Sequence, residues 1–495
     1  MKWLINIISA GSYYGKLILL TGLLVAVPLV VLPFYPIELR YGPAFLYPAI
    51  FSLVLGFAIC AKTYRRQEST SEWQNPMLKG SLPVLFVWCY SFLVGAIPFV
   101  IGGSLSFSHA LFESISGWTT TGLTIVEDVA AMPRIFLFHR SFMQYCGGLG
   151  FILMMVMVIQ GKQSMNLYSA EGHLDRIAPN LKRTARIIFR LYSRFLVFGA
   201  LLYRFFGMEL FDAVCHTMSA LSTAGFTTQA GSIGSYGSLP IELITVVLML
   251  VGASNFSVLL LLTEGKVRQV LRFTELRFLL GLLAIFVPLS ALSLMVDRGM
   301  GIGEGLRNAL FGVVTTFSTT GYATMDYAGW PPFALGLLLL LMIIGGSAGS
   351  TAGGIKLSRT YFLVRITYDT IRKRLSPNQS VTSPSYTAVQ GQMPIDASLV
   401  ADTFGFIVCY MATFIAGTLL LTLTADCPLF DAMFEFASAL GTVGISNGLT
   451  NAGTNVPTLI VEMSGMVLGR LEVLVVFVGI SSCFQALKSK LRRAG

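Results

Sequence analysis

The sequence predicts an all-α polytopic membrane protein: two N-terminal transmembrane helices, then four pseudo-symmetric repeats of helix, half-helix, loop and helix around one axis. Three observations predict it. Apolar residues make up 54% of the 495 residues and charged residues 12%, about half the charged share of a soluble domain. Apolar runs of spanning length recur along the chain, and one short phrase recurs four times between them. Mean hydropathy is +0.73. So few charges cannot cover a water-facing surface of this size, which excludes a soluble globular domain, a disordered chain and a secreted disulfide scaffold.

The runs 17–33 and 43–61 form an N-terminal extension, residues 1–79. Lys2 and Lys16 precede the first run. No small-residue cleavage signature follows, so it reads as a retained helix and not a signal peptide. Further runs lie at 82–101, 141–159, 187–206, 239–262, 278–296, 333–364, 401–423 and 457–484, ten in all. Ten spans leave both termini on one side. Of 34 Lys and Arg residues, 27 fall on that side; the other seven are Arg40, Arg134, Arg140, Arg204, Arg298, Arg307 and Arg470. Cytoplasmic loops carry the basic excess, so both termini are expected in the cytoplasm. The net charge of +10 has the same origin and does not indicate nucleic acid.

Four shorter apolar stretches, 106–117, 210–221, 305–317 and 429–440, do not fit as spans. Twelve helical residues rise about 18 Å, against a hydrocarbon core of roughly 30 Å. Each stretch runs into a similar phrase: Thr120-Thr121-Gly122-Leu123-Thr124, Thr223-Ala224-Gly225-Phe226-Thr227, Thr319-Thr320-Gly321-Tyr322-Ala323 and Thr442-Val443-Gly444-Ile445-Ser446. The glycines are 103, 96 and 123 residues apart. Each following span carries a glycine about 25 residues on, at Gly148, Gly252, Gly346 and Gly469. The repeats are therefore set at 80–162, 187–275, 276–374 and 398–488.

The chemistry of the phrase is specific. A dehydrated monovalent cation needs a ring of oxygens in place of its water, and backbone carbonyls of an extended loop supply one. Glycine reaches the backbone angles that this requires without steric cost. The threonine hydroxyl adds an oxygen, and the large residue after glycine can wedge outward. A half-helix entering from outside aims its partly negative C-terminal end at the centre. The alternative is that the phrases are four helix-capping turns.

These phrases, in a fourfold helix–half-helix–helix order, resemble the Trk/Ktr/HKT superfamily of potassium transporters, and more distantly the potassium-channel filter TVGYG. The leading helix pair is similar to the Trk branch. The resemblance implies a bacterial inner-membrane subunit that takes up K⁺ through a gated selectivity filter. It also implies a homodimer with one pore per protomer, surrounding membrane lipid, and a cytosolic RCK-type ring of regulatory subunits that carries the nucleotide. K⁺ would be the transported ion, with no covalently held cofactor. Its implied ligands are the carbonyls of Thr120 and Thr121, Thr223 and Ala224, Thr319 and Thr320, and Thr442 and Val443, in loops shaped by Gly122, Gly225, Gly321 and Gly444. In the superfamily a serine at the first filter glycine goes with sodium permeation, so Gly122 favours K⁺. One glycine per loop, where TVGYG has two, implies looser selectivity. An ion-coupled (H⁺ or Na⁺) potassium symporter is the alternative.

Residues 345–354, GGSAGSTAGG, lie mid-span and hold five glycines, each opposing helix by roughly 1 kcal/mol against alanine. A broken helix is expected. By resemblance it is an intramembrane gate loop that uses Gly345, Gly346, Gly349, Gly353, Gly354 and the adjoining Lys356; close helix packing through small residues is the alternative. Ile355 stands where a phosphate loop needs lysine, and Lys356 is expected near the cytoplasmic edge. Arg470 interrupts the last apolar run, an unfavourable place for a charge unless it faces protein or water. Its register places it below the filter, where the resemblance implies an electrostatic barrier that also anchors the gate loop. A salt bridge with Glu113, Glu435 or another carboxylate of the short helices is the alternative. Those two glutamates stand nine residues before Gly122 and Gly444 and are expected to brace the filter unless they are exposed.

The seven cysteines form no CxxC pair and the four histidines show no metal spacing. No Ser–His pair, Asp pair or HExxH motif at membrane depth supports an enzyme. Four half-helices entering from one side disfavour an inverted-repeat carrier. The polar stretches 160–186 and 372–397 are loop-like in composition and are candidate docking sites for the cytosolic partner.

Overall fold

A computed structural model describes residues 12–66, 76–149, 181–375, 384–388 and 391–481. It is helical, with the predicted order. The extension holds α1 (Tyr13–Ala26) and α2 (Gly42–Arg66). They cross where Gly15 and Gly56 meet: a Cβ on either glycine would sit 2.8 Å from the other's carbonyl oxygen, the small-residue contact common between membrane helices.

The first repeat holds α3 (Pro76–Ile101), half-helix α4 (Phe107–Trp118) and α5 (Arg134–Leu149). The second holds α6 (Leu181–Phe205), half-helix α7 (Leu210–Leu221), α8 (Leu239–Gly252), α9 (Phe256–Thr263) and the short α10 (Val267–Val270). The third holds α11 (Thr274–Arg298), half-helix α12 (Ile302–Phe317), α13 (Pro332–Ile344) and α14 (Leu357–Leu375). The fourth holds α15 (Ala397–Ala425), half-helix α16 (Leu429–Leu440), α17 (Val456–Arg470) and α18 (Val473–Ser481). Exposed apolar side chains such as Phe205, Val296 and Leu423 form the surface that meets lipid.

Three of the ten expected spans are not continuous helices. As expected, 333–364 breaks, between α13 and α14. The runs 239–262 and 457–484, read as unbroken, instead bend by 114° between α8 and α9 and by 100° between α17 and α18. Broken backbone is tolerable at membrane depth only where other groups satisfy it, and here they do. The Gly252 carbonyl accepts from the Thr351 N–H, and the Ala253 carbonyl accepts from the Ser347 N–H at 3.0 Å. The Asn255 side chain caps α9 by accepting from the Ser257 N–H at 2.7 Å. Among the described residues, five unbroken helices are long and apolar enough to span. Of the other two runs, 187–206 lies in α6, which carries arginines at 183, 186, 190 and 194. Residues 150–159 of run 141–159 lie outside the described residues.

A small antiparallel hairpin, β1 (Ser385–Ala388) with β2 (Gly391–Pro394), lies inside the stretch expected to be a loop. It rests on two helices: the Thr387 N–H donates to the Thr274 hydroxyl at 2.8 Å, and Tyr386 meets Phe362 edge to face. The docking stretch 160–186 lies almost wholly outside the described residues. Arg134 donates to both carboxylate oxygens of Glu209 and, at 2.7 Å, to the Tyr35 hydroxyl, joining α5, α7 and the α1–α2 connection. The bond to Glu209 holds the guanidinium above its usual pKa.

Candidate functional site

All four half-helices end in the same way. The N–H groups of Thr120 and Thr121 donate to the carbonyls of Gly117 and Ser116. The same pair of bonds recurs from Thr223 and Ala224 to Ala220 and Ser219, from Thr319 and Thr320 to Thr316 and Thr315, and from Thr442 and Val443 to Ala439 and Ser438. This is the Schellman helix end, whose turning residue sits in the left-handed region and is usually glycine. Here it is threonine each time, with φ of 57°, 51°, 56° and 52°. A β-branched residue is strongly disfavoured there. The phrase is therefore a helix-capping turn and also the start of an extended loop.

The glycine two residues later also has positive φ, 90° at Gly122, 73° at Gly225, 82° at Gly321 and 86° at Gly444. What each glycine faces closes a cycle. A Cβ on Gly122 would overlap the Ala224 carbonyl oxygen, and one on Gly225 would overlap that of Thr320. On Gly321 it would meet the Val443 oxygen, and on Gly444 the Thr121 oxygen. The four loops thus abut head to tail, first to second to third to fourth to first. The contacting oxygens are those of the residues just before the glycines. The large residues after the glycines, Leu123, Phe226, Tyr322 and Ile445, are all buried.

Side chains behind the ring brace it. Glu113 and Arg140 form an ion pair at 3.0 Å, with both side chains at most 1% exposed. Glu113 also accepts from the Thr124 hydroxyl at 2.6 Å and the Ile125 N–H at 2.9 Å. Arg140 lies over the Phe226 ring of the second loop, 4.0 Å from its centroid. Glu435 accepts from the Asn447 N–H and the Thr450 hydroxyl. Both glutamates are buried, and the partner of Glu113 is Arg140, not Arg470. Gln144 spans two repeats: its amide donates to the Ala224 carbonyl at 2.6 Å and accepts from the Phe226 N–H at 3.1 Å.

Below the ring lies the loop 345–356. Gly345, Gly349 and Gly354 have positive φ, as does Lys356. A Cβ on Gly345 would overlap the Gly353 carbonyl, and Gly346 packs on Ala352 and Ala253. Each of the four left-handed threonines is engaged from this side. The Thr223 hydroxyl is 3.1 Å from that of Thr351, and Thr319 accepts from the Gly353 N–H at 2.9 Å. A Cβ on Gly353 would overlap the Thr442 hydroxyl. Thr120 accepts from Arg470 at 3.0 Å, and the same guanidinium donates to the carbonyls of Thr351 at 2.6 Å and Gly147 at 2.5 Å. Lys356 turns back to the Ala352 carbonyl at 2.7 Å. Arg470 and the loop thus form one layer across the lower end of the ring.

Three features were not read from the sequence. The second-helix glycine that packs on its own half-helix, against the Trp118 carbonyl, is Gly147 and not Gly148; Gly148 packs on Ser222 of the second repeat. Gln144 and Arg140 were missed as braces. A further signal was available: counted back six residues from each glycine stand Ser116, Ser219, Thr315 and Ser438. All four are hydroxyl residues and all are buried. Ser116 shows one use, accepting from the Gly122 N–H at 3.1 Å and donating to the Leu123 carbonyl at 2.6 Å.

Residues 57–486 match the family described as TrkH, cation transport protein. The Trk system potassium uptake protein TrkH of Salmonella typhimurium is 31% identical over 432 residues, covering 82% of this chain and 87% of that protein. The Trk system potassium uptake protein TrkG of Escherichia coli K12 is 31% identical over 421 residues, covering 82% and 85%. The crystal structure of the potassium transporter TrkH from Vibrio parahaemolyticus superposes with a TM-score of 0.81 at 27% identity, covering 96% of this chain and 98% of that one.

Proposed function

The chain belongs to the TrkH family of cation transport proteins, and on that premise we propose that it takes up K⁺ across the bacterial inner membrane through the ring of four loops. The observation that carries this reading is the closed cycle in which each glycine abuts the carbonyl of the next loop. Carbonyls brought together by four loops replace the water of a bare cation. The ion ligands are the carbonyls of Thr120, Thr121, Thr223, Ala224, Thr319, Thr320, Thr442 and Val443. Glycine is required at 122, 225, 321 and 444 because any side chain would enter the neighbouring carbonyl.

The layer of Arg470 with residues 345–356 is the gate. In the arrangement described, a fixed positive charge and the Thr351 and Gly353 backbone lie against the threonines through which an ion would leave. Opening requires the loop to move, and its five glycines lower the cost of doing so. The cytosolic faces of the chain would receive a nucleotide-binding ring of regulatory subunits, and the transporter would work as a dimer with a pore in each protomer.

K⁺ flux into proteoliposomes under a K⁺ gradient alone, with H⁺ and Na⁺ equal on both sides, tests the conduction reading. Flux that follows the K⁺ gradient supports it. Flux that appears only when an H⁺ or Na⁺ gradient is added would replace it with coupled symport.

A further inference from the structure

The first and fourth repeats carry the same brace position with opposite chemistry. Glu113 stands nine residues before Gly122 and Arg140 eighteen after it; Glu435 stands nine before Gly444 and Glu462 eighteen after it. In the first repeat the two side chains make a buried ion pair. In the fourth, two carboxylates meet, and both residues are 0% exposed.

Their contacts determine what must lie between them. The Thr450 hydroxyl oxygen is within hydrogen-bond distance of Glu435 Oε1 and, at 3.0 Å, of Glu462 Oε1. A hydroxyl has one hydrogen to donate. It cannot serve two ionised carboxylates, so one of the two contacts needs a hydrogen supplied by a carboxylic acid. The second oxygen of Glu462 is buried and has no hydrogen-bond partner among the described residues, which suits a neutral acid and not a carboxylate. No Lys or Arg side chain bonds to either carboxyl among the described residues.

We infer that Glu435 and Glu462 bind one proton between them, through Thr450, and that this proton does in the fourth repeat what the Arg140 guanidinium does in the first. It binds from the outer solution onto a carboxylate oxygen, and the pair goes from two negative charges to one. With the proton in place, Thr450 and Asn447 are held against α16 and α17, and the segment leaving the fourth loop is fixed. Without it, two buried carboxylates repel across a hydroxyl, and that segment loosens.

The surroundings do not supply the missing charge. Asp431, one turn earlier on α16, accepts from the Asn447 amide at 2.8 Å. Asp426 and Cys427 stand between α15 and α16, and Tyr410 lies midway along α15. The packed helix α13 has no titratable side chain, and α4 offers His109 and Glu113, the latter held by Arg140. Arg470, two turns along α17, is engaged by Thr120, Thr351 and Gly147.

The inference rests on the fourth repeat's geometry and not on the conduction reading, so its test has a readout of its own. Infrared spectra of the full chain in lipid at neutral pH should contain a protonated-carboxyl stretch that disappears in Glu462→Gln. In cation flux, wild type should lose at least threefold between neutral and strongly alkaline outer pH. Glu462→Gln, which mimics the neutral acid, should stay within twofold across that range, and Glu462→Arg should do the same by rebuilding the first-repeat pair. A wild-type spectrum without the acid band, or a Glu462→Gln variant with the wild-type alkaline profile, would overturn the inference.

Discussion

The Arg470 guanidinium donates to the Thr351 carbonyl oxygen across 2.6 Å, joining the break of α17 to the loop that breaks the third repeat. The same side chain reaches the Thr120 hydroxyl, so the loop of the first repeat, the third-repeat loop and the fourth-repeat helix share one charge. Hydrogen bonds of a charged group are worth about 1.5–3 kcal/mol each. Arg470→Ala removes these and, under the proposed gate, also takes a positive charge out of the ion's path. Single-channel recording should show open probability raised about tenfold or more, the factor that 1.4 kcal/mol represents. Unchanged conductance and open probability would remove Arg470 from the gate.

Arg140 neutralises Glu113 in a site closed to solvent. Breaking such a pair on one side costs about 3–5 kcal/mol, because the remaining charge stays buried. Arg140→Met should therefore lower the unfolding temperature in detergent markedly, and adding Glu113→Gln should recover part of the loss. Equal destabilisation by the single and double variants would show that the pair does not act as a unit.

Gln144 holds the loop of the second repeat from the helix of the first. The other three repeats have no such amide in their described contacts. Two bonds of about 1 kcal/mol each place one ring carbonyl without contributing much to overall stability. Gln144→Leu should reduce the K⁺ over Na⁺ permeability ratio several-fold while leaving the unfolding temperature within a few degrees. A large fall in stability with selectivity intact would make Gln144 a packing residue.

Hydropathy made the half-helices legible because a 12-residue apolar run cannot span. The predicted 210–221 and 429–440 coincide with α7 and α16. Five glycines within ten residues likewise announced the break after α13. The bends at 253–255 and 470–473 were not legible, because a run of apolar residues has the same composition whether its helix is straight or bent by 114°. Only Asn255, a helix-capping residue in mid-run, hinted at the first. The left-handed threonines were hidden for the opposite reason: propensity points to glycine there, and fourfold packing overrides it. Gln144 acts across repeats, and a reading made repeat by repeat does not pair residues 80 or more positions apart; Arg140 pairs with Glu113 in its own repeat, 27 residues away, a contact that no helical spacing announces.

If the four abutting loops form one K⁺ filter, ion selectivity depends on the glycines at which they meet. The most direct test is the reversal potential of purified protein in liposomes with opposed K⁺ and Na⁺ gradients, compared between wild type and Gly122→Ser. At φ of 90°, with the Ala224 carbonyl where a side chain would go, serine must push the second loop's oxygen out of the ring. Wild type should follow the K⁺ gradient, and the variant should shift toward Na⁺ by tens of millivolts, roughly a tenfold change in permeability ratio at 59 mV per decade for one charge. A wild-type potential indifferent to K⁺, or a variant that conducts with unchanged selectivity, would contradict the account.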